Sequence, residues 1–421
     1  MLLRKKKLFF IILFYITLLF LAGCIVRPEY LAESSNIPQR AEYETVMLTT
    51  PPPTVEPVYT PEPTASLTVE KKEKDADKDI DQKNTESSYA GYSYSLLTDS
   101  QKEIYSQFNN HLSVFEPSFT IYCEHMEDLK PAYNALVKDY PEYYYLRGYN
   151  RSYFEGSAEI EISMYYADET IIEQVKSDLA EIDSIVNNEV FAQMDEGLSD
   201  YEQVVYFYTW LGEHVKYESG KNDQSIIGVF LENKAVCNGY AESFQYLCNK
   251  AGIECTTASG YGTNESHAWN LIKLNDQYYW VDVTWGDQTD GDIDELHGQY
   301  IDYAFLCMDD ELLFQSHSLA EGESYPACTD RTLNYYYRNG GFFEQYNKNE
   351  MLAFLYERFG STTEAKVQMM FEYHEDFLKM LDEGSDLIKE VLQSNPNYQQ
   401  GYTIYSWYSD AGNFILYVID G

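Results

Sequence analysis

Two short runs, HAWNLIKL (His267 to Leu274) and QYYWVDV (Gln277 to Val283), are separated only by Asn275 and Asp276. Both runs are rich in aromatic and branched residues, which suit a pleated surface. Asn and Asp tolerate positive φ, so the pair between them predicts a tight two-residue hairpin. That turn sets the register: Leu274 lies opposite Gln277, and Asp282 opposite Trp269. His267 is two residues from Trp269 and shares its face, so His267 and Asp282 become diagonal neighbours. A slip of one residue would put them on opposite faces. Few stretches of the chain leave so little choice of structure.

Upstream, AVCNGYAESFQYLCNKAGI (Ala235 to Ile253) has the period of a helix. Ala241, Phe244, Leu247, Cys248 and Ala251 form its apolar stripe, and Gly252 ends it. Cys237 falls in the first turn, where unpaired N–H groups and the helix dipole favour a thiolate. A buried structural thiol is the ordinary alternative. A nucleophilic thiol needs a base and a group to orient that base. Cys237, His267 and Asp282 supply this set in suitable elements, and N–H groups at the helix start are placed to stabilise an oxyanion. Trp269, Trp280, Trp285 and Cys248 are expected in the core, and His214 on a helix face.

The remaining cysteines, Cys123, Cys248, Cys255, Cys307 and Cys328, show no CxxC and no paired metal spacing, so no metal site or cofactor is expected. The acidic run Gly286 to Glu295 departs from EF-hand spacing and reads as a solvated loop. With 69 acidic and 29 basic residues the formal charge is −40, which argues against a nucleic-acid partner.

The chain opens with Arg4, Lys5, Lys6 and Lys7, then an apolar run from Leu8 to Leu21. That run suits a signal peptide better than a spanning helix. It ends in LAGC, which resembles the lipobox of bacterial lipoproteins; the resemblance implies lipidation at Cys24 and an extracytoplasmic, membrane-anchored protein. Residues 25–88, Pro/Thr-rich and then charged, read as a disordered linker. Residues 89–198 read as an α+β domain, with a strand at Ser157–Tyr166 and a helix at Glu169–Val186. YPEYYYL (Tyr140 to Leu146) reads as strand or turn packing. A helix at Ser199–Val215 opens the core, residues 199–318. The tail, residues 319–421, is expected to be α+β, with a helical run from Thr363 to Leu392 and a final strand in NFILYVID.

The Cys237 helix, SHAWNLIKL and QYYWVDVTWGD together resemble the bacterial transglutaminase-like superfamily. VVYFYTWLGEHVKYES and YIDYAFLCMDDELLFQSH resemble its flanking segments. The resemblance implies an α+β fold with a papain-like core, in which the helix carrying the cysteine packs on an antiparallel sheet. It assigns a Cys-His-Asp triad to Cys237, His267 and Asp282. The implied chemistry is acyl transfer or hydrolysis at amide bonds of proteins or cell-wall peptides. An inactive module that binds at the cell surface is the competing expectation.

Overall fold

Among the described residues, three apolar clusters each back onto a sheet of their own. The computed structural model describes residues 91–154, 157–166, 168–263, 265–287, 301–359, 366–393, 395, 403–409 and 412–420. Cys24, the linker 25–88 and the acidic residues 288–295 lie outside them.

The first cluster packs α1 (Asp99–Leu112) and α2 (Met126–Asp139) on an antiparallel sheet of β1 (Ser118–Tyr122), β2 (Tyr149–Ser152) and β3 (Glu159–Met164), in the order β1-β3-β2. Phe108, Leu136, Ile160 and Ile162 fill it. Thr98 opens α1 with a capping box. The YPEYYYL stretch forms a 3-10 turn at Pro141–Tyr143, with Tyr143 and Tyr145 buried. The helix α3 (Glu169–Ile185) then leads into the second cluster.

Here α4 (Asp200–His214), capped by Ser199, and α5 (Ile226–Glu232) flank α6 (Cys237–Ala251). The helix α6 packs on an antiparallel sheet of β4 (Cys255–Gly262), β5 (Glu265–Leu274), β6 (Gln277–Val281), β7 (Leu306–Met308) and β8 (His317–Leu319). The strand order is β8-β4-β5-β6-β7. Phe244, Leu247 and Cys248 on the helix join Ile272, Tyr279 and Val281 in one core. Gly252 closes α6 at φ 79°, a conformation that suits glycine. Gly239 lies so close to the Asp223 carbonyl that a Cβ would collide with it.

The hairpin has the register that its turn predicts: Leu274 pairs with Gln277, with Asn275 at φ 50° and Asp276 at φ 62°. It ends earlier than expected. The ladder stops at Asn270 and Val281, and Asp282 leaves the strand to cap α7 (Val283–Gly286) by accepting the Trp285 N–H at 3.1 Å. Capping the turn satisfies a backbone donor that would otherwise be buried without a partner.

The third cluster joins α8 (Lys348–Phe359) and α9 (His374–Leu392) to a sheet of β9 (Phe342–Phe343), β10 (Lys366–Phe371), β11 (Thr403–Ser409) and β12 (Phe414–Asp420), ordered β9-β10-β12-β11. Part of the expected helical run is therefore a strand. Lys366–Phe371 lies between two strands, and the helix begins only at His374. The partners of β10, Phe342–Phe343 and Phe414–Val418, are remote in sequence, so its ladder was invisible locally.

Phe244 is fully buried between α6 and the sheet. Phe244→Ala is expected to cost about 3–5 kcal/mol, read as a lowered denaturation midpoint with an unchanged slope. A loss under 1 kcal/mol would show that α6 is not anchored through this ring.

Candidate active site

Three elements converge. Cys237 opens α6, His267 lies near the start of β5, and Asp282 stands where β6 gives way to α7. His267 is 7% exposed and Asp282 0%, while Cys237 is half-buried, so it is the most exposed residue of the three. His267 Nε2 is 2.7 Å from Asp282 Oδ2. The imidazole also lies beside the Cys237 thiol and favours its ionisation. With Nε2 committed to Asp282, Nδ1 is the nitrogen left for sulfur. The structure thus brings all three candidate residues into one chain of contacts.

Each side chain is electrostatically shifted by the others. Burial pushes the Cys237 thiol up, but the hydrogen bond and charge of His267, helped by the Ala268 N–H, outweigh it and leave the thiol below its ordinary value. Burial would lower His267, yet the charge and hydrogen bond of Asp282, then those of Cys237, lift it to about 10. Burial would raise Asp282, but His267 and then His317 hold it well below the usual carboxylate range. A thiolate facing an imidazolium is the state these shifts favour.

The sequence did not single out His317. Its Nε2 lies 3.0 Å from the same Asp282 oxygen that receives His267. No local pattern connects residues 282 and 317. The contact depends on the three-residue strand β8 pairing with the edge of β4, where His317 lies opposite Gly262. A Cβ on Gly262 would come within 2.7 Å of Trp285 and 3.4 Å of His267, so only glycine lets this corner close. Trp269 and Trp285 are buried as expected, and they also wall the two imidazoles. His317 lies 4.3 Å from Trp285 and 5.0 Å from Trp269, centroid to centroid. Cys248 is core, and His214 stacks on Trp210 away from these residues.

Among the described residues, His267, Asp282 and His317 also bring three ligand-type atoms within 4.8 Å of one another. Their His–Asp separations of 2.7 and 3.0 Å are hydrogen-bond lengths. Two ligands on a tetrahedral ion with bonds of about 2.0 Å would stand about 3.3 Å apart. The arrangement fits shared protons better than an ion.

Residues 189–284 match the Transglutaminase-like superfamily, so the chain carries a transglutaminase-like domain there. That span includes Cys237, His267 and Asp282 and stops short of His317. The chain is 31% identical to the Kyphoscoliosis peptidase of Mus musculus over 123 residues, covering 25% of this chain and 19% of that protein. It is 31% identical to the Homo sapiens protein of that name over 111 residues, covering 22% and 17%. The chain therefore spans under a fifth of the length of these relatives. Among solved structures, it is similar to a TGase at 13% identity, covering 33% of this chain and 44% of that one, with a TM-score of 0.23. It is also similar to a cysteine protease candidate from Cytophaga hutchinsonii at 16% identity, covering 32% and 61%, with a TM-score of 0.21.

The ionised pair links stability to pH. Asp282, its pKa lowered, stabilises the fold above the ordinary carboxylate pKa of about 3.9, and the contribution disappears as pH falls through its depressed value. His267, its pKa raised, contributes fully below about pH 6.5, and that contribution is lost as pH climbs toward about 10. Asp282→Ala is therefore expected to cost about 3–5 kcal/mol, most between about pH 5 and 6.5. Thermal unfolding across pH tests this, and an equal loss at every pH from 5 to 10 would contradict it.

Proposed function

We propose that this chain is a thiol enzyme that cleaves or transfers acyl groups at amide bonds, with Cys237 as nucleophile, His267 as base and Asp282 as the group that orients the base. The observation that carries this reading is the chain of contacts from a thiol at a helix start, through one imidazole, to a fully buried carboxylate. A structural cysteine has no need of a charged histidine held by a carboxylate away from water. The transglutaminase-like match of residues 189–284 supports the same chemistry.

In this mechanism the Cys237 thiolate attacks the amide carbonyl carbon. The oxygen takes up negative charge at the first turn of α6, whose amides lack partners within the helix. His267, charged and held by Asp282, gives its proton to the departing nitrogen. The C–N bond breaks, ammonia or an amine leaves, and an acyl thioester remains on Cys237. His267 then takes a proton from the acceptor, water or an amine, as it attacks the thioester. Water gives hydrolysis or deamidation; an amine gives a new amide. Either route breaks the C–S bond and returns the Cys237 thiolate opposite a protonated His267.

The substrates proposed are proteins or the peptides of a cell wall. The basic and apolar leader and the LAGC string support an extracytoplasmic protein tethered to the membrane through lipid at Cys24, with residues 25–88 as its spacer.

The test is the reactivity of Cys237 toward iodoacetamide, followed site by site with peptide mass spectrometry. Cys237 is expected to react well below the ordinary thiol pKa of about 8.5, and His267→Ala to remove that reactivity. Cys237→Ala should abolish amide cleavage or transfer while leaving the circular dichroism spectrum unchanged. If Cys237 reacts no differently from an ordinary thiol, the inactive binding module becomes the better reading.

A further inference from the structure

We propose that His317 is a positioning residue of this site: its Nε2–H, given to Asp282 Oδ2, fixes the carboxylate in the orientation that His267 requires. The inference rests on the Cys237–His267–Asp282 reading above and extends it to a fourth side chain.

The geometry leaves the carboxylate little freedom. Asp282 is 0% exposed and must find its donors inside the protein. Its Oδ1 accepts the Trp285 N–H at 3.1 Å. Its Oδ2 accepts His267 at 2.7 Å and His317 at 3.0 Å, which fills both acceptor sites of that oxygen. Without His317, one lone pair of a dry carboxylate would have no partner. The group would then turn away from His267 or take up a proton. Either change weakens the charge that keeps His267 protonated opposite the thiol.

The two histidines are not equivalent. Their ring centroids lie 5.5 Å apart across a single carboxylate, so two imidazolium charges would repel each other there. The surroundings choose which ring stays neutral. His317 Nε2 faces Asp282 Oδ2 at 3.0 Å, and an ionised carboxylate only accepts, so the proton of a neutral His317 ring belongs on Nε2. Burial, ahead of the opposing pull of Asp282, keeps His317 below its ordinary pKa. His317 thus donates a hydrogen bond without competing for the charge. Other titratable groups near this carboxylate are Cys237 and Tyr208, whose hydroxyl donates to the backbone carbonyls of Asp282 and Asp302.

The third cluster steadies the strand that presents His317. Gln315 Nε2 donates to the Glu372 carbonyl at 3.4 Å, and Asn413 Nδ2 donates to Gln315 Oε1 at 3.4 Å. Arg331 clamps Asp309 and Glu372 together at 2.8 and 3.1 Å. The tail of the chain thereby gains a part in the site without supplying a reacting group.

The experiment follows Cys237 alkylation by iodoacetamide from pH 4 to 10 in the full chain, comparing wild type, His317→Phe and His317→Gln. His317→Phe is expected to move the acid limb upward, so that the rate at pH 6 falls about tenfold. At pH 10, with the thiol ionised in every variant, rates should agree within about twofold. His317→Gln, whose amide can still donate to Asp282, should restore most of the wild-type profile. An unmoved limb in His317→Phe overturns the proposal. So does a loss that is uniform across pH, or a stoichiometric zinc ion whose removal by chelator speeds wild-type alkylation. If His317→Phe does not fold, His317→Leu takes its place, and a limb identical to wild type then overturns the proposal. A wild-type limb near the ordinary thiol value would instead sink the triad reading itself, which keeps the two failures distinct.

Discussion

Asp282 has no exposed surface, so it must be met by donors inside the protein or give up its charge, and that demand falls on the whole core. Its partners come from three places. Trp285 belongs to the turn that Asp282 itself caps, His267 to the neighbouring strand β5, and His317 to the far edge strand β8. The sheet must be complete from β6 across to β8 before this anion has all three of its donors. The site and the sheet therefore depend on each other.

The same burial makes the pair effective. Trp269 and Trp285 wall off the two imidazoles, which keeps the local dielectric low and the charge interactions strong. Cys237, alone of the three residues, is half-buried. His267 and Asp282 lie inside, and Cys237 is the more exposed residue. That order is the one the proposed thiol chemistry calls for, with the base held in a dry interior and the thiol residue nearer solvent.

The flanking parts of the chain bear on the elements that carry the site. On the N-terminal side, Gln245 and Asn249 of α6 donate to the carbonyls of Lys138 and Asp139 at the end of α2, each at 2.8 Å. These bonds satisfy orphan carbonyls of one helix and secure the back of another. On the C-terminal side, Arg331, Gln315 and Asn413 tie the His317 segment to the third cluster. Neither flank looked chemical in the sequence, and each holds an element that carries a residue of the site.

What the sequence by itself determined is local. The Asn275-Asp276 turn dictated the hairpin register because both residues take up positive φ, and the 3.6-residue stripe of α6 put Cys237 at a helix start. Together with the order of Cys, His and Asp, these made the three candidate residues legible. The early end of β6 was not, since capping of α7 by Asp282 competes with one more ladder step, and the choice turns on burial of the Trp285 N–H. Lys366–Phe371 reads locally as helix, and pairing partners distant in sequence make it a strand. Only the tertiary structure decided the place of His317. It reaches Asp282 across 35 residues through a three-residue edge strand, and the dry carboxylate there has a lone pair that no nearer donor fills.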